Sequence, residues 1–413
     1  MQKWRRHSLR ALGALLLLAL AIAAVPAARG DIMVPFPLPV DLAHLIPPIG
    51  GSPPGAGTAC KGGAAMPGVD PRGTDPGSPN PLAGQHFFVD PEEQAWYQWK
   101  DYTRRGMKGK AALVAKIARQ PRFRWFGRFT RPDMPLKISK YLQRVRCTEP
   151  GSVPLMTVLR HQGKQCSKSY EAGGTAEDSR TRQWYDEFAS AIGSARVVIA
   201  FEPDSLGTLD CLARSRRKAR LDTLRHGVDV LSTLPNATIY LEGGASDWEP
   251  ASRTASQLRY IGIAKVRGFM LNVTHYDWTA NNIRHGLRIS RLTGGKPFIV
   301  STAFNGRGPV HFRKWISRQR NIWRTINVWC HPLMRGLGPA PTTSTSNPRV
   351  DAYMWIGRPG YSGGSCNGGP LPVGTWWPKR ALMFGKYATS WERPPRGTRY
   401  GQFKRYSLRQ LGG

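Results

Sequence analysis

The stretch Val197-Val198-Ile199-Ala200-Phe201-Glu202-Pro203-Asp204-Ser205-Leu206 runs five apolar residues together and then breaks into two acids around a proline. An apolar run with no alternation is a strand covered on both faces, as in parallel sheets flanked by helices. The segment from Trp184 to Ala191 before it reads as helix, and so does the one through Leu221 to Leu231 after it. Further buried-strand runs follow the same rhythm: Val153 to Leu159, Thr238 to Leu241, Gly268 to Val273 and Phe298 to Ser301. Strands alternating with helices predict a parallel α/β sheet, open or closed into a barrel. Upstream, Glu92 to Ala118 reads as one helix, with Ala95, Trp96 and Trp99 at helical spacing.

In such folds chemistry gathers at the C-terminal ends of the strands. Those ends carry Arg160 and His161, Glu202 and Asp204, Glu242, Asn272 and His275, and Ser301 and Asn305, with Trp125, Trp248 and Trp329 near loops. Carboxyls at strand tips among tryptophans suit a carbohydrate: aromatic faces stack on sugar rings and acids handle the glycosidic oxygen. The plain alternatives are that the tryptophans are core and that Asp204 caps the following helix.

Composition frames this reading. The 413 residues carry 60 Lys+Arg against 26 Asp+Glu, a net charge of +34, yet include 14 Trp, so a disordered basic chain is excluded. Lys3, Arg5, Arg6 and Arg10, followed by the apolar run Ala11 to Val25 and small residues around Pro26, predict a secretory signal over residues 1–29. Arg5-Arg6 also fits twin-arginine export, and an uncleaved anchor is the alternative. Removing its five basic residues leaves +29 on the exported protein. Residues 30–79, rich in Pro and Gly, read as a linker. No apolar stretch long enough to span a membrane follows the signal. The six cysteines, Cys60, Cys147, Cys166, Cys211, Cys330 and Cys366, favour disulfides in an exported chain, and no C-x-x-C pair points to zinc. Neither a metal nor another cofactor is expected. No nucleic-acid-binding pattern appears, so the charge points to a polysaccharide surface, with an anionic cell-wall polymer as a further candidate partner.

Across residues 80–390 the chain resembles glycoside hydrolase family 6, the inverting β-1,4-glucanases and cellobiohydrolases. The likeness rests on Asn80-Pro81-Leu82-Ala83-Gly84, Trp125-Phe126-Gly127, Glu202-Pro203-Asp204-Ser205-Leu206, Leu271-Asn272-Val273, Asn305-Gly306-Arg307-Gly308-Pro309, Trp329-Cys330, Val350-Asp351-Ala352-Tyr353-Met354-Trp355-Ile356 and Trp376-Trp377-Pro378. The resemblance implies a distorted, incomplete parallel β/α barrel, a secreted monomer acting on a cellulose-like glucan, and a basic tail at residues 391–413. It implies disulfides Cys166–Cys211 and Cys330–Cys366, leaving Cys60 and Cys147 to pair with each other. Asp204 matches the general acid. Trp125, Trp248, Asn272, Asn305 and Trp329, at the strand ends and nearby loops, are the candidate substrate-binding residues.

Other catalytic positions depart from the pattern. Leu159 stands where the family has a tyrosine that crowds the reacting sugar, Gln165 where it has the acid's supporting aspartate, and Gly363 where it has the aspartate often proposed as base. Glu171, in Tyr170-Glu171-Ala172-Gly173-Gly174, replaces a serine near the catalytic water and is the candidate relocated base; Glu242 is a second candidate. A catalytically impaired carbohydrate-binding protein on the same scaffold is the competing reading.

Overall fold

The computed structural model describes residues 69–130, 133–161, 174–317, 319, 322–328 and 330–397. Its centre is a seven-stranded parallel sheet in the order β1 (Arg124–Gly127), β2 (Leu155–Leu159), β3 (Val197–Phe201), β4 (Ala237–Glu242), β5 (Gly268–Leu271), β6 (Phe298–Ser301) and β9 (Val350–Met354). The hairpin β7 (His311–Ser317) and β8 (Ile322–Asn327) is inserted between the last two as a separate antiparallel pair. Helices α3 (Met134–Thr148), α4 (Gly174–Ile192), α5 (Arg214–Leu231), α6 (Ala251–Ile261) and α7 (Thr279–Leu292) connect successive strands; α1 (Gln94–Arg104), α2 (Lys108–Ala118) and α8 (Pro378–Lys386) pack together.

The two-faced strands do what their composition dictates. Val197, Ile199 and Phe201 face the helices with Trp184, Phe188, Leu224 and Val228. Val198 and Ala200 face inward with Leu155, Tyr240, Met270, Ile299 and Met354. Both sets are buried, so no residue of β3 is left over to face water.

The sheet curls but does not close. Among the described residues β1 and β9 share no ladder. Instead Phe123 N–H reaches Trp355 O at 3.4 Å, and the Trp125 indole N–H donates to Ile356 O at 2.8 Å. This is the distorted, incomplete barrel expected from the resemblance.

The N-terminal end of the barrel is plugged by a buried ion pair. Arg267 donates through Nε and Nη2 to both oxygens of Asp351, each at 2.8 Å, and Tyr240 O–H donates to the same carboxylate at 2.7 Å. Arg267 Nη1 continues to Gly73 O at 3.1 Å and Ser78 Oγ at 3.0 Å. Lys296 Nζ donates to Thr74 O and Val266 O, and Arg349 to Pro76 O. The last residues of the stretch read as linker are therefore strapped to the barrel, because three cations collect their backbone carbonyls. Likewise the start of the basic tail is bonded to it: Tyr353 O–H donates to Glu392 Oε1 at 2.7 Å.

The single helix predicted over 92–118 is two helices. Gly106 adopts a φ of +66°, a left-handed turn that ends α1 before α2 begins. Cys330 and Cys366 form a disulfide. Cys147 and Cys211 are each disulfide-bonded; the expected partners, Cys60 and Cys166, lie outside the described residues, as do the signal segment and Glu171. Among the described residues no helix is long and apolar enough to cross a membrane.

Asp351→Asn would leave the Arg267 guanidinium buried without its charge partner, at a cost of about 3–5 kcal/mol. Urea unfolding measures it; a loss below about 1 kcal/mol would show that the plug is not structural.

Candidate active site

A cavity of about 1160 Å³ opens at the C-terminal ends of the strands, beside the unpaired edge. It is walled by Trp125 within β1 and Arg128 after it, Leu159 and Arg160 at the end of β2, Asp204 after β3, Thr274 and Tyr276 after β5, and residues between Gly357 and Cys366 after β9. Phe129, 53% exposed, stands at its mouth.

Three non-glycine residues at the strand tips sit in left-handed backbone: Glu202 (φ 55°), Asp204 (φ 68°) and Asn272 (φ 66°). Each such residue costs on the order of 1 kcal/mol or more, and that strain persists only where surroundings impose it. The imposing contacts are visible. Buried Glu202 accepts the N–H groups of Arg160 (2.8 Å) and His161 (3.0 Å) and the hydroxyl of Tyr185 (2.7 Å), pinning the tip of β2 to that of β3. Burial still pushes its carboxyl above the usual range against those bonds. Asn272 donates to Asp277 O and Ser301 O from a fully buried position.

The turn delivers Asp204 to the cavity. Its Oδ1 accepts from Thr274 Oγ1 at 2.6 Å. Helix α5 begins only at Arg214, with Ala213 at its N-cap, so the capping role considered for Asp204 falls away. Behind it stands Glu242, 3% exposed, accepting Gly244 N–H at 2.8 Å. Burial first, and the neighbouring Asp204 charge second, push the Glu242 carboxyl well above the usual range. Two carboxyls in one desolvated site cannot both ionise, so the pair holds a proton at a pH where an isolated carboxyl has lost it. The shift falls on buried Glu242, with the Asp204 charge among its causes. Glu242 itself is sealed under the floor and does not line the cavity, which removes it as an activator of water.

The remaining predicted residues separate into three groups. Trp125 lines the cavity, its indole fixed on Ile356 O. Trp248 does not line it: the ring stacks on His275 at 4.7 Å and lies over Gly207, where a Cβ would come within 2.5 Å of the indole. Asn272 and Asn305 are buried beneath the floor, both amides donating to Asp277 O, so they hold the loop before α7 rather than a ligand. Trp329, Cys166 and Glu171 lie outside the described residues. Thr274 was not singled out in the sequence, although it follows the quoted Leu271-Asn272-Val273 directly.

His275 Nδ1–H donates to Asp247 Oδ1 at 2.8 Å. Burial disfavours its cation, but the Asp247 hydrogen bond and charge, with Asp204 beyond, outweigh that and raise its pKa.

On the opposite wall, Gly363 N–H donates to His331 Nε2 at 2.7 Å while His331 Nδ1 bonds Cys366 O at 2.9 Å. Accepting at Nε2 makes Nδ1 the donor, and burial lowers the pKa, so His331 is neutral. Cys330, His331 and Cys366 bring ligand-type atoms within 4.8 Å of one another. The two sulfurs are bonded to each other and both ring nitrogens are engaged, so the cluster offers no free metal ligands. Gly363 itself brings only backbone to the wall where the resemblance expects a carboxylate.

A family model for glycosyl hydrolases family 6 matches residues 82–386. The chain belongs to glycosyl hydrolases family 6. Endoglucanase A of Cellulomonas fimi is 31% identical over 312 residues, covering 75% of this chain and 62% of that protein. Endoglucanase 1 of Streptomyces halstedii is 28% identical over 289 residues, covering 68% and 83%. The chain thus spans about three fifths of the length of the Cellulomonas fimi relative. A solved structure of the endoglucanase Cel6 from Mycobacterium tuberculosis, in complex with methyl-cellobiosyl-4-deoxy-4-thio-β-D-cellobioside, is 32% identical. It superposes with a TM-score of 0.65, covering 75% of this chain and 99% of that one. Endoglucanase CEL6B from Humicola insolens, 20% identical with a TM-score of 0.62, shares the fold. In this family 6 chain the match takes in both edges of the open barrel.

The raised carboxyl of Glu242 carries a sign. A folded-state pKa above the unfolded one contributes stability that is full below the ordinary carboxylate range and is lost as pH rises toward the folded value. Glu242→Gln keeps the acceptor for Gly244 N–H and removes that loss. Its melting temperature relative to the parent should therefore climb between about pH 4 and pH 8. A difference flat across that range, read by scanning calorimetry, would mean that Glu242 is not held protonated.

Proposed function

We propose that the chain is a secreted glycoside hydrolase that cleaves β-1,4 bonds of a cellulose-like glucan with inversion, Asp204 serving as general acid. The observation that supports this most is Asp204 itself: a strained backbone aims it into the cleft, Thr274 orients it, and a buried carboxyl behind it holds a proton in the pair. In its protonated form Asp204 donates a proton to the glycosidic oxygen as the bond from C1 to oxygen breaks. Water attacks C1 from the opposite face and passes its own proton to a carboxylate or to bulk water. Trp125 supplies an aromatic edge to the cleft, and Phe129 a second exposed one. The basic and apolar segments before Pro26 support secretion.

Besides Leu159 and Gln165, this chain departs from its family on the water side. Gly363 carries no side chain. Of the cleft acids, Glu177 is held by Arg160 at 2.7 Å and by Arg128. Burial opposes its ionisation, yet those two arginines outweigh it and lower its pKa, which makes it a weak base. Glu171 is proposed as the residue that activates water. The competing reading, a binding protein with little turnover, draws its support from Gly363.

Three variants separate these readings by reducing-sugar release from barley β-glucan. Asp204→Asn should lower turnover by about 10²–10⁴-fold. Glu171→Gln should lower it to a similar degree, and unchanged activity would remove that assignment. Gly363→Asp should raise turnover by about tenfold or more. A Cβ there meets His331 Nε2 at 3.3 Å, so the His331 ring must yield by a few tenths of an ångström to admit it. Release that does not depend on Asp204, or none from the parent protein, would favour the binding reading.

A further inference from the structure

The cleft is built with more positive charge than a neutral glucan calls for. Seven arginines line it against four carboxylates. The excess is densest near the ends of β1 and β2 and the start of α5, where, among the described residues, the cavity lining has Arg128, Arg160, Arg216 and Arg220 beside Glu177 and Asp178. Arg160 is 3% exposed, and its Nε has no hydrogen-bond partner among the described residues. Arg216 meets Asp178 at 2.6 Å, and Arg128 and Arg160 share Glu177.

The helix that supplies two of these side chains is loaded against its own stability. Arg214-Ser215-Arg216-Arg217-Lys218-Ala219-Arg220 opens α5 with five cations and no acid in the first turn. Cations at a helix N-terminus oppose the macrodipole, where the usual choice is Asp or Glu. Arg216 and Arg217 offset part of that cost through Asp178 and Asp210, yet the first turn keeps its surplus of cations at the edge of the cleft. His161, on the same wall, registers the resulting field. Burial and then Arg220, Arg160, Arg128 and Arg216 drive its pKa well below the ordinary value.

We infer that this wall is a subsite for a carboxylate carried by the glycan, so that the cleft prefers a β-1,4-linked chain bearing acidic sugars to the neutral chain. The inference rests on the hydrolase reading above. A C6 carboxylate keeps the pyranose shape and β-1,4 linkage that an open cleft accommodates, and it adds one charge per residue. Guanidinium forks match carboxylates in geometry and remain charged at every working pH. The long-range field of +34 steers an acidic chain toward the same face.

The test is calorimetric binding to Asp204→Asn of two oligomers of six sugars, cellohexaose and its C6-oxidised β-1,4-glucuronic acid counterpart. At about 0.02 M salt the acidic oligomer should bind about tenfold more tightly or better, and the preference should shrink several-fold by about 0.5 M. Arg128→Gln and Arg216→Gln, at partly exposed positions that avoid the buried Arg220, should each cut the preference by about threefold or more. Equal binding, or tighter binding of cellohexaose, overturns the inference. A preference untouched by either arginine variant overturns it too, because the general surface then explains it. Reducing-sugar release from neutral glucan by the parent protein judges the hydrolase reading separately: Asp204-dependent release without an acidic preference leaves that reading standing while this inference fails.

Discussion

Strands β1 and β9 meet through one long backbone hydrogen bond and one indole N–H, where a closed barrel would have a ladder. Closing that ladder would bring the tips of β1 and β9 together and leave no room for a polymer. Left open, it separates Trp125 and Arg128 on one side from Gly357 to Cys366 on the other, and the cavity lies between. The opposite end of the barrel tolerates the gap because it is plugged. Arg267, Asp351 and Tyr240 fill it with a satisfied polar network, and the strap of residues 70–79 covers it. A buried ion pair is weak evidence of net stability. Here it joins β4, β9 and the residue before β5, which fixes the curl that the missing ladder does not.

At the open end the backbone is spent on aiming side chains. The left-handed conformations of Glu202, Asp204 and Asn272 each cost energy, and each is compensated by bonds to neighbouring strand tips. Glu202 and Asn272 touch no ligand space; they hold the loops that carry Asp204 and Thr274. Acid chemistry and loop geometry are thus coupled through buried groups. The departures from the family pattern fall at Leu159, Gln165 and Gly363, while Asp204 itself is kept, with Glu242 behind it.

The central strands were legible because β3 to β6 are uninterrupted apolar runs, a pattern that only burial on both faces explains. β1 was not: Arg-Trp-Phe-Gly is four residues long, begins with a cation and lies next to prolines. In β9, Asp351 breaks the apolar run, and its partner Arg267 is 84 residues away, which no local pattern reveals. The split between α1 and α2 hangs on Gly106 alone. In the site, Asp204 and Trp125 were readable from their motifs. Asn272 and Asn305 looked like ligand groups because polar residues at strand tips usually are, yet burial turns both toward Asp277 O. The arginine wall was visible only as net charge, since its members come from β1, β2 and α5 and assemble only in the fold.

The account's central claim is single-displacement hydrolysis driven by Asp204 in an open cleft. The anomeric form of the first product, followed by proton NMR during cleavage of a soluble β-1,4-glucan oligomer, tests it most directly. Inversion predicts the α-anomer as the first reducing end, formed by the parent protein and not by Asp204→Asn. A first product in the β form, or one formed as fast without Asp204, would contradict the account.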